Sequence, residues 1–368
     1  MRILITGSRA PAALELVRNF GLCGWEVYAA DSIDAAIARY SAYVKRFFTV
    51  HAPRSDERAF VDDLCDIVRK HGIDVVFPTC EEIFWIAKNL AEIRARCRAQ
   101  IICEPLEKLD VLHNKYKFIR FAKGLGIAVP DTHLIAENVP IAQTNAQKEQ
   151  KIVLKPVYSR FGEDVIVAEP SDIAFDGLHG KWIAQEFIEG EPVCSYGYAE
   201  NGVLKFNICY RSPVRARTFT AFAPFVCGAV TKMVQTIAEA LCFTGNLSFD
   251  FIRRGDAYIP IECNPRITSG IHTLRGNAFD ALFFGTLKQP QLDFAQLRLP
   301  TLLTGGGWLP YRDVIWNSND KRPFFNQARC LWAFHTLAKR HGVSLTKAMT
   351  IDIAWNGEDI SNGLDAER

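Results

Sequence analysis

The most constraining feature of this sequence is a hairpin signal between residues 248 and 264. Two segments, 248–251 and 261–264, alternate polar and apolar residues as strands do. Between them, residues 254–257 have a composition typical of a tight turn. Antiparallel strands can be joined by such a short connection. We therefore predict an antiparallel hairpin here.

The register of this hairpin decides which side chains meet. A turn centred on Asp256 places Asp250 directly opposite Glu262, with Ser248 and Asn264 on the same face. The other face then carries Phe249, Phe251, Ile261 and Cys263. Two opposed carboxylates repel and destabilise a sheet unless a cation lies between them. Two acids and an amide oxygen suit Mg²⁺, whose remaining ligands are usually water and phosphate. The alternative is a solvated polar face that ends at Asn264-Pro265.

The rest of the chain predicts an α/β fold with several domains. In the first hundred residues strands alternate with helices, which predicts a doubly wound parallel sheet. The central part has a helix at 114–123, then hairpin-like strands, then a helix near 229–243. Further on we predict a helix near 325–340 and a last strand near 350–355, with three tryptophans packing this region onto the body: Trp308, Trp316 and Trp332.

Composition limits the function classes. The chain has 368 residues, a net charge of +2 and 11 cysteines, none at a C-x-x-C spacing. The small net charge gives no reason to expect a nucleic-acid or membrane partner. No apolar run approaches the roughly 18–20 residues that cross a bilayer. Unpaired thiols in a long chain favour a reducing compartment, so we expect a cytoplasmic protein.

Two further segments are candidates for nucleotide binding. Lys155 ends an apolar strand, and the loop 158–164 after it could fold over a triphosphate, with Lys155 as a fixed positive charge. The alternative is an ordinary hairpin with a surface lysine. The strand that contains Gln185, Glu186 and Ile188 is followed by an acidic turn with Glu191, which could present backbone groups to adenine and an acid to ribose.

Taken in order, these segments resemble the ATP-grasp superfamily over roughly residues 1–275. The resemblance implies a fold with an N-terminal doubly wound domain, a small lid and a larger antiparallel sheet. It implies phosphate contacts from Lys115 and Lys155, adenine contacts from Gln185, Glu186 and Ile188, and Mg²⁺ ligation by Asp250, Glu262 and Asn264. Lys155 and Arg266 would act in catalysis, Arg266 by steadying the transferred phosphoryl group.

Two departures from the family pattern concern the nucleotide. The loop after Lys155 has Ser159 and Arg160 near positions where glycine is usual, so its backbone has less freedom. Pro192 stands where the family often has its acidic ribose ligand, and Glu191 is the substitute that we assign.

The resemblance implies an ATP-dependent carboxylate–amine ligase near the carbamoyl-phosphate-synthase-like branch, using Mg²⁺ or Mn²⁺. Its partners would be a small carboxylate and an amine, with a homodimer left open. Two alternatives remain: activation of bicarbonate or formate, as in carboxylases and purine-pathway enzymes, and a nucleotide-binding regulatory protein with a decayed site. The expected domains are 1–108, 109–290 with a lid at about 120–190, and a C-terminal accessory region 291–368.

The acceptor side is less defined. Glu81 or Glu82 could bind an ammonium at a strand end, although both also suit the first turn of a helix. Arg211, Arg215 and Arg217 could hold a carboxylate, and Ser269 and Gly270 could offer backbone amides to one. His272 is a further polar candidate. The segment 7–11 with Asp31 lacks two glycines of the dinucleotide fingerprint, which disfavours a nicotinamide cofactor.

Overall fold

The computed structural model describes residues 1–135, 151–162, 164–169, 180–214, 218–276, 279–286, 289–303 and 305–358. Its N-terminal part is a parallel sheet of five strands in the order β3-β2-β1-β4-β5. The strands are β1 (Arg2–Ile5), β2 (Glu26–Asp31), β3 (Val44–Thr49), β4 (Val75–Phe77) and β5 (Gln100–Ile101). The helices are α1 (Pro11–Leu22), α2 (Glu57–His71), α3 (Glu82–Lys88) and α4 (Leu90–Arg96), with a 3₁₀ turn at Ile37–Tyr40.

The central strands of this sheet are apolar because helices cover both faces. Ile3 to Ile5 and Val75 to Phe77 are fully buried, as expected of parallel strands. Strand β1 pairs in parallel with both β2 and β4. The predicted doubly wound sheet is confirmed. Because β1, β2 and β4 are parallel, their carboxyl ends lie at the same edge of the sheet.

Two helices lead from this sheet to a small antiparallel sheet. They are α5 (Leu106–His113) and α6 (Lys115–Gly124), separated by Asn114. The side chain of Asn114 accepts a hydrogen bond from the backbone N–H of Lys117 at 3.0 Å and so caps α6. The sheet has the order β6-β9-β7-β8. Its strands are β6 (Thr132–Ile135), β7 (Ile152–Pro156), β8 (Ile166–Ala168) and β9 (Trp182–Glu186).

A larger sheet of seven strands follows, in the order β14-β13-β10-β11-β12-β17-β18. Its first five strands are β10 (Glu191–Glu200), β11 (Val203–Arg211), β12 (Ala221–Phe225), β13 (Gly245–Arg254) and β14 (Ala257–Asn264). Helix α7 (Gly228–Ala240) precedes β13, and a 3₁₀ turn at Ser269–Thr273 follows β14. The inner face of β13 is apolar, and Phe249 and Phe251 lie in the main core.

The C-terminal part continues the large sheet and then becomes helical. Its strands are β15 (Leu274–Arg275), β16 (Gln291–Leu292), β17 (Ala295–Gln296) and β18 (Arg312–Asp313). Its helices are α8 (Ala281–Phe284), α9 (Arg298–Leu303), α10 (Arg322–Phe325), α11 (Gln327–His341) and α12 (Leu345–Ala348). Strand β17 pairs with β12, so residues after 290 extend the large sheet.

Two predictions for this part are wrong. Residues 350–353 form turns and 354–355 are irregular, so no strand occurs there. Trp308 and Trp332 are 70% and 68% exposed, so they do not pack the region onto the body. A different residue, Trp355, does so: it is fully buried, with its ring stacked on Phe84 at a centroid distance of 5.3 Å. Its apolar neighbours come from distant segments, which local sequence patterns do not reveal.

Among the helices that the structure describes, none combines the length and the apolar character needed to span a bilayer.

Candidate functional site

The acid pair lies on the hairpin of β13 and β14. Asp250 is opposite Glu262 and Ser248 is opposite Asn264, in the register that the sequence predicted. The route to this register differs from the prediction, because the turn is at Gly255-Asp256 and a bulge between Asp250 and Phe251 pairs Phe251 with Pro260. The extra residue at the bulge is Ile261, so the predicted pairing fails there while the acid pair is kept.

The two carboxylates of the acid pair disfavour each other's ionised form. Burial and the neighbouring Glu262 carboxylate raise the pKa of Asp250. Asn264 Nδ2 lies 3.4 Å from Glu262 Oε1, so the side-chain amide of Asn264 lies beside the acid pair. No group of three or more His, Cys, Asp or Glu side chains with metal-binding geometry occurs in the described ranges. Two carboxylates and one amide oxygen are a partial ligand set that suits Mg²⁺, because this ion usually keeps water and phosphate ligands.

Two buried lysines approach the same acid from different elements. Lys115, the first residue of α6, has its Nζ 3.7 Å from Glu262 Oε2 and donates to the Ser159 carbonyl at 3.3 Å. Lys155, near the end of β7, donates from Nζ to the Ile261 carbonyl at 3.3 Å. The bulge at Ile261 therefore supplies an acceptor for Lys155.

The protonation of these groups is set by burial and by one another. Burial lowers the pKa of Lys155 to about 8 and also lowers that of Lys115, and Glu262 partly offsets both effects. Burial alone would raise the pKa of Glu262, but Lys115 and Lys155 outweigh it and hold the pKa low. The site thus keeps one acid ionised between two ammonium groups.

The proposed adenine contacts lie at the end of β9. Gln185 is buried, and its Nε2 donates to Thr132 Oγ1 at 3.1 Å. The Glu186 amide donates to the Asp131 carbonyl at 2.8 Å. Ile188 is buried just beyond the strand. Glu191 begins β10 and is partly exposed, with ion pairs of 3.5 Å to Arg211 and 3.7 Å to Arg253.

Arg266 follows the acid hairpin and is held by the N-terminal domain. Its Nε donates to Glu81 Oε1 at 2.9 Å, and its Nη1 donates to the Ile267 carbonyl at 3.2 Å. Glu81 is 1% exposed, and its other oxygen lies 2.8 Å from Arg160 Nε. Burial raises the pKa of Glu81, but the two arginines lower it to about 2. Both oxygens of Glu81 are therefore engaged by cations of the chain itself.

Two residues of this cluster were not singled out as functional from the sequence. In the sequence, Arg160 stands out only as a departure from a glycine-rich loop, and that departure is the available signal. His113 precedes Lys115 at the break between α5 and α6, and its ring stacks on Phe84 at 4.4 Å. Burial lowers the pKa of His113 to about 3, so the ring is neutral at physiological pH.

The remaining acceptor candidates are placed as follows. Glu82 accepts hydrogen bonds from Thr6 Oγ1 at 2.7 Å and from the Thr79 amide at 3.0 Å, so it joins β1 to the start of α3. Gly270 packs so closely that an added Cβ would lie 2.3 Å from Tyr196 Cβ. Ser269 is half-buried at the start of the same 3₁₀ turn. Arg215 and Arg217 lie outside the described residues.

Two further groups are used in structural ion pairs. Buried His272 lies 3.4 Å from Glu15 on α1. The buried carboxylate of Asp31 pairs with Arg9 at 2.6 Å, and Arg9 also pairs with Asp352 at 2.5 Å. The carboxylate of Asp31 is thus engaged by an arginine of the chain itself.

Comparisons with known proteins find one domain family and several solved structures with a similar fold. Residues 112–270 match the family model of the ATP-grasp domain. The L-amino acid ligase from Bacillus licheniformis superposes with a TM-score of 0.60 at 16% identity, over 79% of this chain and 75% of that one. The N5-carboxyaminoimidazole synthetase from Staphylococcus aureus gives 0.61 at 14% identity, over 80% of each chain.

The curated sequence relatives match only part of this chain, and the chain covers only part of each of them. The multifunctional protein pyr1-3 of Dictyostelium discoideum is 24% identical over an alignment of 202 residues, and the match covers 49% of this chain and 9% of that protein. The chain spans less than half the length of the curated relatives that it matches. Together the comparisons show that residues 112–270 match the ATP-grasp domain family and that the chain shares its fold with these two solved structures.

Proposed function

We propose that this protein is an ATP- and Mg²⁺-dependent ligase that activates a carboxylate as an acyl phosphate and joins it to an amine. The observation that carries the proposal is the pair Asp250 and Glu262, opposed across a hairpin with Asn264 beside them. Lys115 lies 3.7 Å from Glu262, and Lys155 donates to the carbonyl of the preceding residue, Ile261. This arrangement suits a triphosphate with its metal ion better than it suits water alone.

Each group has a role in this chemistry. Asp250, Glu262 and Asn264 would hold Mg²⁺, which when bound neutralises phosphate charge. Lys115 and Lys155 would hold phosphate oxygens, and Arg266 would hold the phosphoryl group in transfer. Gln185, Glu186 and Ile188 would contact adenine, and Glu191 the ribose once it leaves its arginines.

The reaction needs no side-chain nucleophile. A carboxylate oxygen of the substrate attacks the terminal phosphorus, the bond to the ADP oxygen breaks, and an acyl phosphate forms. The amine then attacks the acyl carbon, phosphate leaves, and the amine proton passes to solvent or base. The loop after Lys155 would exclude water from the mixed anhydride.

The test is ADP release from Mg²⁺-ATP across a matrix of amines and carboxylates, with bicarbonate and formate included. Wild type should release ADP only with a particular pair, and Glu262→Gln should reduce the rate at least about 100-fold. Asp256→Asn, in the exposed turn of the same hairpin, is the matched control and should behave as wild type.

Other outcomes would contradict the proposal. Activity with bicarbonate and no amine would favour the carboxylase-like alternative. ATP binding without turnover in any combination would favour a nucleotide-binding regulatory protein. Equal rates for wild type and Glu262→Gln would remove the acid pair from the mechanism.

A further inference from the structure

Glu81 is a buried acid shared by two arginines from different parts of the chain. Arg266 Nε lies 2.9 Å from one oxygen, and Arg160 Nε lies 2.8 Å from the other. A buried charge is tolerated only where it is paired, so each arginine depends on the carboxylate that the other also uses. The position of one guanidinium is therefore linked to the position of the other.

Arg160 is also held on its far side by the C-terminal segment. Its Nη1 donates to Asn356 Oδ1 at 2.8 Å, and its Nη2 donates to the Trp355 carbonyl. Trp355 is itself fixed, because its ring lies between Phe84 and Tyr158 at centroid distances of 5.3 and 5.4 Å. The guanidinium of Arg160 thus has partners on three sides, which fixes its orientation.

Arg266 lies at the other end of this chain of contacts, beside the acid hairpin. Its backbone N–H donates to the Asn264 carbonyl at 2.8 Å, which ties it to the strand of the metal-site residues. Its side chain is 17% exposed, and Glu262 also acts on it electrostatically. An arginine at this place contacts the transferred group only if its side chain is held in one direction.

We propose that Arg160 is a positioning residue for Arg266, acting through the Glu81 carboxylate that the two arginines share. This inference rests on the function proposed above, in which Arg266 holds the transferred phosphoryl group. It also assigns Glu81 differently from the sequence-based interpretation, because its two carboxylate oxygens lie 2.9 Å from Arg266 and 2.8 Å from Arg160 and not beside an open substrate position. This role would account for an arginine in a loop where glycine is usual.

Under this proposal, removal of Arg160 affects the binding of nucleotides that have the terminal phosphate and does not affect the binding of those that lack it. If Arg160 only orients Arg266, its removal should weaken contacts to the terminal phosphate and leave ADP binding unchanged. The probes are Mg²⁺-ADP and Mg²⁺-AMP-PNP, whose dissociation constants are measured by calorimetry for the full chain. No turnover is needed, so the result does not depend on finding the substrates.

Arg160→Met should lower the affinity for AMP-PNP roughly tenfold relative to ADP, the value of one well-oriented charge-assisted hydrogen bond. Arg160→Lys should lie between Arg160→Met and wild type. Glu81→Gln should give a similar loss, and the double variant should be no worse than either single one, because both act on Arg266. Lys347→Met is the control, since it removes another loop contact, the 2.9 Å ion pair with Asp164, without touching Glu81.

Three results would overturn the inference. Equal weakening of ADP and AMP-PNP would mean a general structural role or a direct contact of Arg160 with the nucleotide. Additive losses in the double variant would mean that Arg160 and Glu81 act separately. An unchanged ratio in Arg160→Met, whose fold is checked by its thermal midpoint, would remove the link even if Glu81→Gln fails to fold. Failure of the ligase proposal alone would appear instead as the expected selective loss of AMP-PNP affinity in Arg160→Met, with no turnover by wild type for any pair of substrates.

Discussion

At the scale of single residues, the candidate site is organised as shared charges. Glu262 lies 3.7 Å from Lys115 and is also stabilised by the charge of Lys155. Glu81 lies 2.8 Å from Arg160 and 2.9 Å from Arg266. Each of these acids therefore serves two cations, which leaves an excess of positive charge beside the acid pair. A site of this kind favours a ligand with several negative charges, such as a nucleotide with its phosphates.

The same cluster predicts an acid-sensitive contribution to stability. Burial lowers the pKa of His113 to about 3, whereas its ordinary value is 6.5. Between these values the unfolded chain binds the proton that the folded chain does not, so stability is full above pH 6.5 and falls with pH below it. From pH 7.5 to 5.0 this group should cost about 2 kcal/mol.

His113→Gln should remove that part of the pH dependence, because glutamine does not titrate. Urea unfolding at pH 7.5 and 5.0 measures the free energy of unfolding. The difference in this free energy between wild type and variant should shrink at the lower pH. The exposed His341→Gln is the control and should keep the wild-type dependence. Parallel curves for wild type and His113→Gln would show that the buried ring is not the titrating group.

At the scale of elements, the hairpin and the 3₁₀ turn after it define the site. Gly270 sits in that turn, where an added Cβ would lie 2.3 Å from Tyr196 Cβ and 2.9 Å from Tyr210 Cε1. Gly270→Ala should therefore destabilise the protein by about 1–3 kcal/mol through overpacking. Gly228→Ala, where an added Cβ meets nothing within 4 Å, is the matched control. Equal thermal midpoints for the two variants would contradict the expected crowding.

At the same scale, some features of the hairpin follow from the local sequence and others do not. The acid pair was predictable because a tight turn and side-chain alternation act over about fifteen residues. The bulge at Ile261 was not, because the extra residue shifts the alternation by one position within the apolar run 258–261, where the sequence does not show the shift. Its carbonyl accepts from Lys155 on another sheet, and this contact spans 106 positions of the sequence.

The acceptor candidates illustrate the same limit. Glu81 and Glu82 are neighbours in sequence, yet one is held by two arginines and the other joins β1 to α3. Only the tertiary arrangement distinguishes them. The contacts of Glu81 with Arg160 and Arg266 join residues far apart in the chain, so no local pattern announces them.

At the scale of the whole molecule, the C-terminal segment joins the N-terminal sheet to the loop after Lys155. Asp352 pairs with Arg9 beside the end of β2, while Asn356 holds Arg160 in the loop. Trp355 lies between these two contacts and is completely buried. The sequence analysis predicted a strand at 350–355, but the partners of this segment are side chains from three separate regions.

This arrangement predicts a large difference between two tryptophans that look alike in the sequence. Trp355→Ala should destabilise the protein by about 3–5 kcal/mol, since it removes a fully buried ring between Phe84 and Tyr158. Trp332→Ala should change stability by less than about 0.5 kcal/mol, since that ring is 68% exposed. Thermal midpoints measure both, and hydrogen exchange of residues 158–162 should rise only in Trp355→Ala. Unchanged exchange in a destabilised Trp355→Ala would mean that the segment stabilises the N-terminal domain without holding the loop.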